Sequence, residues 1–436
     1  MKMQKIIGAV AWLMLVAAVP LCARAGFIDE TGYLTYGFVD SGSTCDAVRV
    51  FGRDNTNDTI TKVVIPSSVV YEYTVYDNED KEYKTLRRTC KVVEIGSSAF
   101  YNYTALTAVT FNETITNIGS YAFGRCVSLK SVQLPNTLIS IGSGAFVECN
   151  ALKTFKTPLS LKRLGISALQ KCLALETAEI DGNGLYVERY TFSGCTNLKS
   201  VVYGEGVAVI EGGESFNSKY VFKNCSSLES IEVKSLAIRS VPEHFCNVPS
   251  LKTISFAGVI TNIGWNAFYH CSGLERIYGT IRPKTIGYSA FYDCTSLDSQ
   301  IDFSDCTSIG SVAFQNCRSM SGSLSLPKLD SIKGQTFQGC ESLTSVTFSD
   351  SLTNIGAQAF AECKSFKTFK TPASLKTIEA NVLMDCTSLE TVEIDGNGLV
   401  VGIMFNGCER LHTVVYGNGV ASIKGGWIGG MGGAFL

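Results

Sequence analysis

Charged residues are scarce in this sequence, and neither sign of charge predominates. Only 17% of the 436 residues are Asp, Glu, Lys or Arg, and the formal net charge is −2. A nucleic-acid-binding protein usually carries a basic patch, and an acidic tail is a run of like charges. The sequence has neither feature, so we expect no nucleic-acid partner. Because 45% of the residues are hydrophobic, the chain can form a large buried core.

Residues typical of catalytic sites are also few. The three histidines, His244, His270 and His412, fall at unrelated places in the sequence. No H-E-x-x-H, C-x-x-C, G-x-S-x-G or P-loop pattern occurs, and these are the spacings typical of metal, thiol, acyl-transfer and phosphate sites. A catalytic pair of carboxylates leaves no sequence signature, and none stands out. We therefore expect no enzymatic activity, no metal and no cofactor.

Long apolar runs are confined to the start of the chain. Lys2 and Lys5 precede an apolar run over residues 6–21, and an Ala-Arg-Ala sequence ends at Ala25. These are the three parts of a secretory signal peptide, so we predict that residues 1–25 are cleaved. A transmembrane anchor needs about 20 apolar residues, and this run is shorter. A lipoprotein anchor at Cys22 is disfavoured because a Leu precedes it.

The absence of a second apolar run bears on the location of the mature protein. We expect a secreted or cell-surface protein with no transmembrane segment after signal cleavage, unless an anchor lies beyond the end of this sequence.

From residue 95 the sequence is repetitive. "IGSYAFGRCVSLKSVQLPNTLIS" is one 23-residue unit of the pattern I-G-x-x-A-F-x-x-C-x-x-L-x-x-V-x-L plus a six-residue loop. The fourteen units open at Ile95, Ile118, Ile141, Leu164, Val187, Ile210, Val241, Ile263, Ile286, Ile309, Ile332, Ile355, Ile378 and Val401, and an incomplete fifteenth opens at Ile423. Such a period is the signature of a solenoid, in which each unit completes its core by stacking on its neighbours.

The spacing of apolar residues within a unit predicts its local structure. The spacing is helix-like through Ala122, Phe123 and Cys126, and it has a period of two between Val132 and Leu134. One coil should therefore contain a short helical turn, a bend and a short strand. With neighbouring strands about 4.8 Å apart, the coils would form a parallel sheet roughly 65 Å long.

These residues resemble a known family. "CVSLKSVQLP" fits the leucine-rich-repeat strand motif L-x-x-L-x-L, and "IGSYAF" with a Cys three residues later is similar to the BspA-type leucine-rich repeat. The resemblance implies a curved stack of about 14 coils of 23 residues, with a parallel β-sheet on the concave face and short helical turns or irregular segments on the convex face. Proteins of this family are often implicated in surface attachment and in binding extracellular proteins.

Three segments interrupt the repeat or lie outside it. Residues 26–94 alternate apolar and polar residues around Gly and Asp turns, so we predict an N-terminal β-rich cap before the repeats of residues 95–436. The last repeat is incomplete, which would leave a strand edge uncovered. The unit at Ile210 contains an insertion, "EGGESFNSKYVF", that is a candidate contact site. Between residues 297 and 326, "LDSQIDF" and "MSGSLSL" each add a residue before the strand, which should offset the sheet locally.

Twelve of the 17 cysteines occupy one repeat position. These ladder cysteines are Cys126, Cys149, Cys172, Cys195, Cys225, Cys271, Cys294, Cys317, Cys340, Cys363, Cys386 and Cys408. A series of disulfides or metal sites is one interpretation, but a spacing of about 4.8 Å between coils fits disulfide geometry poorly. We favour small buried side chains. Cys45 and Cys90 lie off the ladder in the cap and form the one candidate disulfide.

Two outward-facing positions recur in each strand. The first is nearly always Ser or Thr, and we call it the hydroxyl row: Ser131, Thr154, Thr177, Ser200, Ser230, Thr253, Ser345, Thr368, Thr391 and Thr413. Such a row is explained by strand stability alone. The second position varies in size and charge, and we call it the variable row. A variable row on a rigid sheet is a usual place for a solenoid to recognise a protein, although it can also be a merely solvated face. The candidate protein-binding residues are Lys156, Glu179, Glu232, Tyr278, Asp302, Lys370 and Glu393.

One stretch, "EIDGNGL", occurs twice, from Glu179 and from Glu393. Its alternating Asp and Asn suggest a calcium loop, but the next alternate residue is Leu and the Gly is misplaced, so a Gly-assisted turn is favoured. "FKTPLSLKR" and "VVYGEGVAVIEGG" also recur, which indicates that several coils were duplicated together. Lys156 and Glu179 thus have counterparts in Lys370 and Glu393, either as a repeated recognition surface or as a duplication without functional meaning.

Two functional hypotheses remain. In the first, the protein is an exported, non-enzymatic recognition or adhesion module whose concave face binds a protein ligand, such as an extracellular-matrix or host surface protein. In the second, it is a structural spacer or self-assembling cell-surface element that associates end to end through its uncovered edge. Reversing the charges of the variable row separates the two hypotheses, because only the first predicts a loss of partner binding.

Overall fold

The computed structural model describes residues 26–28, 34–39, 47–51, 60–77, 79–213, 220–298 and 301–423. The predicted signal peptide, residues 214–219 of the insertion and residues 424–436 lie outside these ranges. The chain forms two compact units, Met1–Leu173 and Ala174–Leu436.

Six strands precede the regular repeats. They are β1 (Gly26–Ile28), β2 (Thr35–Phe38), β3 (Ala47–Phe51), β4 (Lys62–Val64), β5 (Ser68–Asp77) and β6 (Glu82–Ile95). β1, β2 and β3 are antiparallel neighbours, and β5 pairs antiparallel with β6 over its whole length. β4 pairs in parallel with the first repeat strand of the next coil, and the end of β6 does the same on a second sheet. This segment therefore supplies strands to both sheets of the repeats.

Most repeats contribute two short strands, which we call the motif strand and the opening strand. The motif strand contains the V-x-L sequence, and the opening strand ends on the residue that opens the next unit. In the first compact unit, Met1–Leu173, the motif strands are β7 (Ala108–Thr110), β9 (Ser131–Gln133) and β11 (Thr154–Lys156). The opening strands are β8 (Asn117–Ile118), β10 (Ser140–Ile141) and β12 (Arg163–Leu164). Parallel pairing joins equivalent residues of successive coils, as Ser140 with Arg163.

The second compact unit, Ala174–Leu436, has the same arrangement of strands. Its motif strands are β13 (Thr177–Ile180), β15 (Ser200–Tyr203), β17 (Ser230–Val233), β19 (Thr253–Phe256), β21 (Arg276–Tyr278), β24 (Gly322–Leu326), β26 (Leu343–Phe348), β28 (Thr368–Lys370), β30 (Thr391–Ile394) and β32 (Thr413–Tyr416). Its opening strands are β14 (Leu185–Val187), β16 (Val207–Ile210), β18 (Ser240–Val241), β20 (Ile260–Ile263), β22 (Ile281–Ile286), β23 (Ser308–Ile309), β25 (Ser331–Ile332), β27 (Asn354–Ile355), β29 (Thr377–Ile378), β31 (Leu399–Val401) and β33 (Val420–Ile423). The parallel solenoid predicted from the repeat is confirmed, with about 14 coils.

The segment between the two strands differs from its prediction. Among the described residues the helix assigned is a single 3₁₀ helix, Phe303–Asp305, and no helix there has the length and apolar character that a membrane crossing requires. Where a helical turn was expected, the chain forms successive tight turns with left-handed residues such as Tyr121 and Arg125, at φ 56° and 60°.

The backbone amides explain why these turns do not become a helix. Phe123 N donates to the carbonyl of Ala145 at 2.8 Å, and Arg125 N donates to the carbonyl of Val147 at 2.7 Å. Alternate amides are thus bonded to the next coil, so they are not free for the bonds between residues four apart that define an α-helix.

The core lies between the strands and these turns. Ala122, Phe123, Cys126 and Leu129 are all fully buried, and the same is true of their equivalents in most coils. The phenylalanine rings stack along the solenoid: Phe268, Phe291, Phe314, Phe337 and Phe360 follow one another with centroids 5.1–5.5 Å apart and planes within 15°. This is the offset-stacked geometry that aromatic pairs prefer.

Candidate protein-interaction site

The motif strands turn alternate side chains outward, and most of them bury the side chains between. In β11, Thr154 and Lys156 are exposed while Phe155 is buried, and β13 repeats the pattern with Thr177 and Glu179 exposed. This alternation follows from the period of two in a strand. The predicted outward position of both residues on these strands is therefore correct.

The variable row forms a continuous line of neighbouring side chains in the second unit. Glu179 pairs in register with Val202, Val202 with Glu232, Glu232 with Ser255, and Ser255 with Tyr278. Five of these strands in succession thus present acidic, apolar, hydroxyl and aromatic groups at one level of the sheet. Lys156 occupies the same repeat position in the first unit.

Two of the predicted residues form an ion pair. Lys370 and Glu393 pair in register on β28 and β30, and Lys370 Nζ lies 2.6 Å from Glu393 Oε2. The hydrogen bond to Glu393 raises the pKa of Lys370. Because both side chains are exposed, the pair contributes little to stability. It nevertheless fixes a charge pattern on the strand face.

Asp302 does not have the position in the variable row that the sequence predicts. The residue does not lie in a motif strand; it is the N-cap of the 3₁₀ helix. Its carboxylate accepts a hydrogen bond from Ser304 N at 2.9 Å and another from Arg282 Nε at 2.8 Å. Hydrogen bonds from the side chain and the backbone of Ser304, and then from Arg282, lower the pKa of Asp302 to about 2. The side chain therefore serves as a helix cap, and Asp302 is not part of any strand that the structure describes.

A cleft lies beside Asp302 in this coil. Its volume is about 930 Å³, and it lies between β21 and β24. The apolar side chains that line it are Ile277, Ile301, Phe303, Met320, Leu324 and Leu343. Tyr278 and Asp302 also line it, so two predicted residues meet there. The expected local offset of the sheet was the sequence signal for this site, but the sequence did not reveal a cleft.

Arg276 also lines the cleft, and it was not among the predicted binding residues. It pairs in register with Thr253 of the hydroxyl row and lies on the same strand face as Tyr278. The signal was present, because Arg276 replaces the Ser or Thr that the six preceding coils, from Ser131 to Thr253, carry at this position.

A comparison with known protein families identifies the family to which these repeats belong. A sequence model described as BspA type leucine rich repeat region, six copies, matches residues 93–219, 215–327 and 307–427. These matches cover well over half of the chain. The chain belongs to the BspA-type leucine-rich-repeat family. Leucine-rich-repeat scaffolds present extended binding surfaces, so membership indicates a protein-interaction role.

Several bacterial leucine-rich repeat structures are similar to this BspA-type protein. A leucine-rich repeat protein from Bacteroides ovatus is 23% identical, with a TM-score of 0.52 over 89% of this chain and 94% of that one. A leucine rich cell surface protein from Faecalibacterium prausnitzii is 19% identical, with a TM-score of 0.37 over 90% and 95%. The pneumococcal vaccine antigen PcpA is 14% identical, with a TM-score of 0.37 over 86% and 88%. The first of these similarities supports the fold. No curated protein matches the sequence.

The ladder cysteines of the BspA-type coils are buried thiols. Cys126 Sγ donates to the carbonyl of Phe100 at 3.1 Å, and Cys317 Sγ donates to that of Phe291 at the same distance. Burial raises the pKa of Cys126 to about 12, so the thiol stays protonated. The side chain therefore fills a small apolar space and also satisfies a backbone carbonyl of the preceding coil. The described residues contain no group of three or more His, Cys, Asp or Glu suited to a metal ion.

The candidate disulfide stays a prediction. Cys45 lies outside the described residues, and Cys90 is buried in β6. Two further cysteines lie off the ladder after residue 95: Cys246 is hydrogen-bonded to Cys271, and Cys306 is buried beside the 3₁₀ helix.

We expect the thiols of Cys126 and Cys317 to resist alkylation in the folded protein. Both are fully buried, and only the thiolate reacts readily with maleimide. Peptide mapping by mass spectrometry after N-ethylmaleimide treatment at pH 7 should find both unmodified until guanidinium is added. A Ser131→Cys variant on the exposed strand face is the positive control. Rapid labelling of Cys126 in the native protein would contradict a closed core.

The duplicated "EIDGNGL" loops have a structural role in this BspA-type solenoid. Asp181 Oδ1 accepts hydrogen bonds from Gly182 N at 2.8 Å and from Gly206 N of the next coil at 3.0 Å. Asp395 repeats this with Gly396 N at 2.9 Å and Gly419 N at 3.3 Å. The aspartates thus join successive coils, which accounts for their recurrence without a bound cation.

Proposed function

We propose that the protein is exported and acts as a non-enzymatic recognition or adhesion protein. Its ligand is a protein, such as an extracellular-matrix protein or a surface protein of a host or neighbouring cell. The motif strands form the binding face. The N-terminal sequence pattern of a signal peptide and the family's cell-surface relative from Faecalibacterium prausnitzii are consistent with a surface or secreted location.

The observation that carries this proposal is the contrast between the two exposed rows. The hydroxyl row repeats Ser or Thr from coil to coil, whereas the variable row changes from Glu179 to Val202 to Glu232 on adjacent strands. Strand stability accounts for a uniform row, because hydroxyl and β-branched residues suit a pleated surface. It does not account for a varied one. Varied side chains held at fixed spacing are what selective recognition of a protein surface requires.

Exchanging the charges of Lys370 and Glu393 tests the proposal. The double variant Lys370→Glu/Glu393→Lys keeps the ion pair and the fold but reverses the charge pattern that a partner would meet. We expect it to weaken binding by about tenfold or more, because misplaced like charges at an interface are strongly unfavourable. Binding is measured by surface plasmon resonance against a panel of extracellular-matrix and serum proteins that retain the wild-type protein.

The matched control exchanges another exposed ion pair. Lys252 Nζ lies 3.4 Å from Glu229 Oε1, and neither residue belongs to a motif strand. The Lys252→Glu/Glu229→Lys variant should bind as the wild type does. If the Lys370/Glu393 exchange leaves binding unchanged while sedimentation shows concentration-dependent end-to-end association, the spacer hypothesis replaces this one.

A further inference from the structure

The cleft between β21 and β24 differs chemically from the rest of the strand face. Thr177, Ser200, Ser230 and Thr253 continue the hydroxyl row in register, and Arg276 then takes the next position. Tyr278 lies two residues after Arg276 on the same strand and is 50% exposed. It is the one aromatic residue of the variable row. Arg and Tyr are two of the residue types most enriched among binding hot spots.

The charged side chains that line the cleft differ in whether they have hydrogen-bond or ion-pair partners. Asp302 accepts hydrogen bonds from Arg282 and Ser304, and Asp298 accepts one from Ser321 Oγ at 2.9 Å. Arg276 forms no ion pair and no side-chain hydrogen bond with any residue that the structure describes. Among the residues that the structure describes, the cleft thus holds one exposed guanidinium whose donors have no protein partner.

The cleft also has apolar side chains in its lining. Ile301, Phe303, Met320 and Leu324 line it, and each is less than 10% exposed, so the cleft reaches down to the edge of the core. A volume of about 930 Å³ can accept one or more side chains of a partner.

We propose that this cleft is the anchor point for the partner, and that it takes a protein segment in which an apolar side chain is next to a carboxylate. The apolar side chain packs against this apolar lining beside Tyr278, and the carboxylate pairs with the guanidinium of Arg276, which can hold it with two parallel hydrogen bonds. A protein segment is the occupant because Tyr278 continues the variable row through Ser255 and Glu232, so the cleft adjoins the proposed binding face. This inference rests on the proposed function.

Selection of peptides on the purified protein tests the inference. A displayed library of random 12-residue peptides is selected on the wild type, and the enriched peptides are synthesised. We expect them to combine an aromatic or aliphatic residue with an adjacent Asp or Glu. Their Kd, measured by fluorescence polarisation, should rise about tenfold or more with Arg276→Gln, as expected for loss of a charge-assisted hydrogen bond. Replacing the acidic residue of the peptide by its amide should have the same effect on the wild type and little effect on Arg276→Gln.

Two further variants keep the result interpretable. Ser325→Phe, on an exposed cleft position of β24, should fill the cleft and weaken binding while the thermal melt stays unchanged. Arg239→Gln removes an exposed arginine outside the cleft and should leave Kd unchanged. Enrichment of basic peptides, or peptides that bind Arg276→Gln as tightly as the wild type, would overturn the inference. If the Lys370/Glu393 exchange still abolishes partner binding while Arg276→Gln does not, the proposed function stands and the anchor lies elsewhere.

Discussion

Replacing Phe314 with alanine is expected to lower the free energy of unfolding by about 3–5 kcal/mol. The ring is fully buried and stacks between Phe291 and Phe337, with centroids 5.1 Å and 5.4 Å away. Phe303 meets it edge-on at 5.7 Å. Truncation removes three aromatic contacts and leaves a cavity that neighbouring coils cannot close, because their backbones are tied together by hydrogen bonds.

Guanidinium unfolding followed by circular dichroism measures this effect. A solenoid can unfold in sections, so hydrogen exchange should show the loss of protection concentrated in the coils next to Phe314. Tyr288→Ala is the control: this aromatic residue is 52% exposed in a neighbouring coil, and its loss should change stability by less than about 0.5 kcal/mol. If Phe314→Ala is no more destabilising than Tyr288→Ala, the aromatic stack does not hold the coils together.

Replacing Gly142 with alanine is expected to cost about 2–3 kcal/mol. A Cβ at this position would lie 2.5 Å from Ser120 N and 2.7 Å from Gly119 C, which are backbone atoms of the preceding coil. Neither coil can move aside without breaking the bond from Gly142 N to the carbonyl of Ile118, which is 2.8 Å long. The glycine of the I-G pair is therefore required by the close approach of two backbones.

Gly402 provides a matched control for this substitution. It follows the opening residue Val401 as Gly142 follows Ile141, but no atom lies within 4 Å of the Cβ that an alanine would add. Gly402→Ala should therefore be neutral or slightly stabilising, since alanine reduces the entropy of the unfolded chain. Both variants are compared by thermal melting. Equal melting temperatures for the two variants would show that the contact with Ser120 is relieved at no cost.

The sequence alone was a good guide to everything that repeats. The 23-residue period located the coils, and the alternation in "TFK" placed Thr154 and Lys156 outside and Phe155 inside. It also indicated that the ladder cysteines are buried. These features follow from covalent spacing, because a strand turns successive side chains to opposite faces whatever lies beside it.

The sequence was a poorer guide wherever the answer depends on residues one coil away. The apolar spacing of Ala122, Phe123 and Cys126 predicted a helical turn, yet the amides there bond to the following coil instead. The repeat pattern shows that a glycine recurs after the opening residue, but only the structure shows that Gly142 is needed because another backbone lies against it.

The sequence by itself determined the family, the register of the coils and the two exposed rows of the motif strands. The tertiary structure decided how the irregular coils are accommodated. Asp302 caps a 3₁₀ helix, and Arg276 and Tyr278 border a cleft beside it. The physical reason is that an extra residue can be absorbed in several ways by an isolated coil. Packing and hydrogen bonds to the coils on both sides select among them.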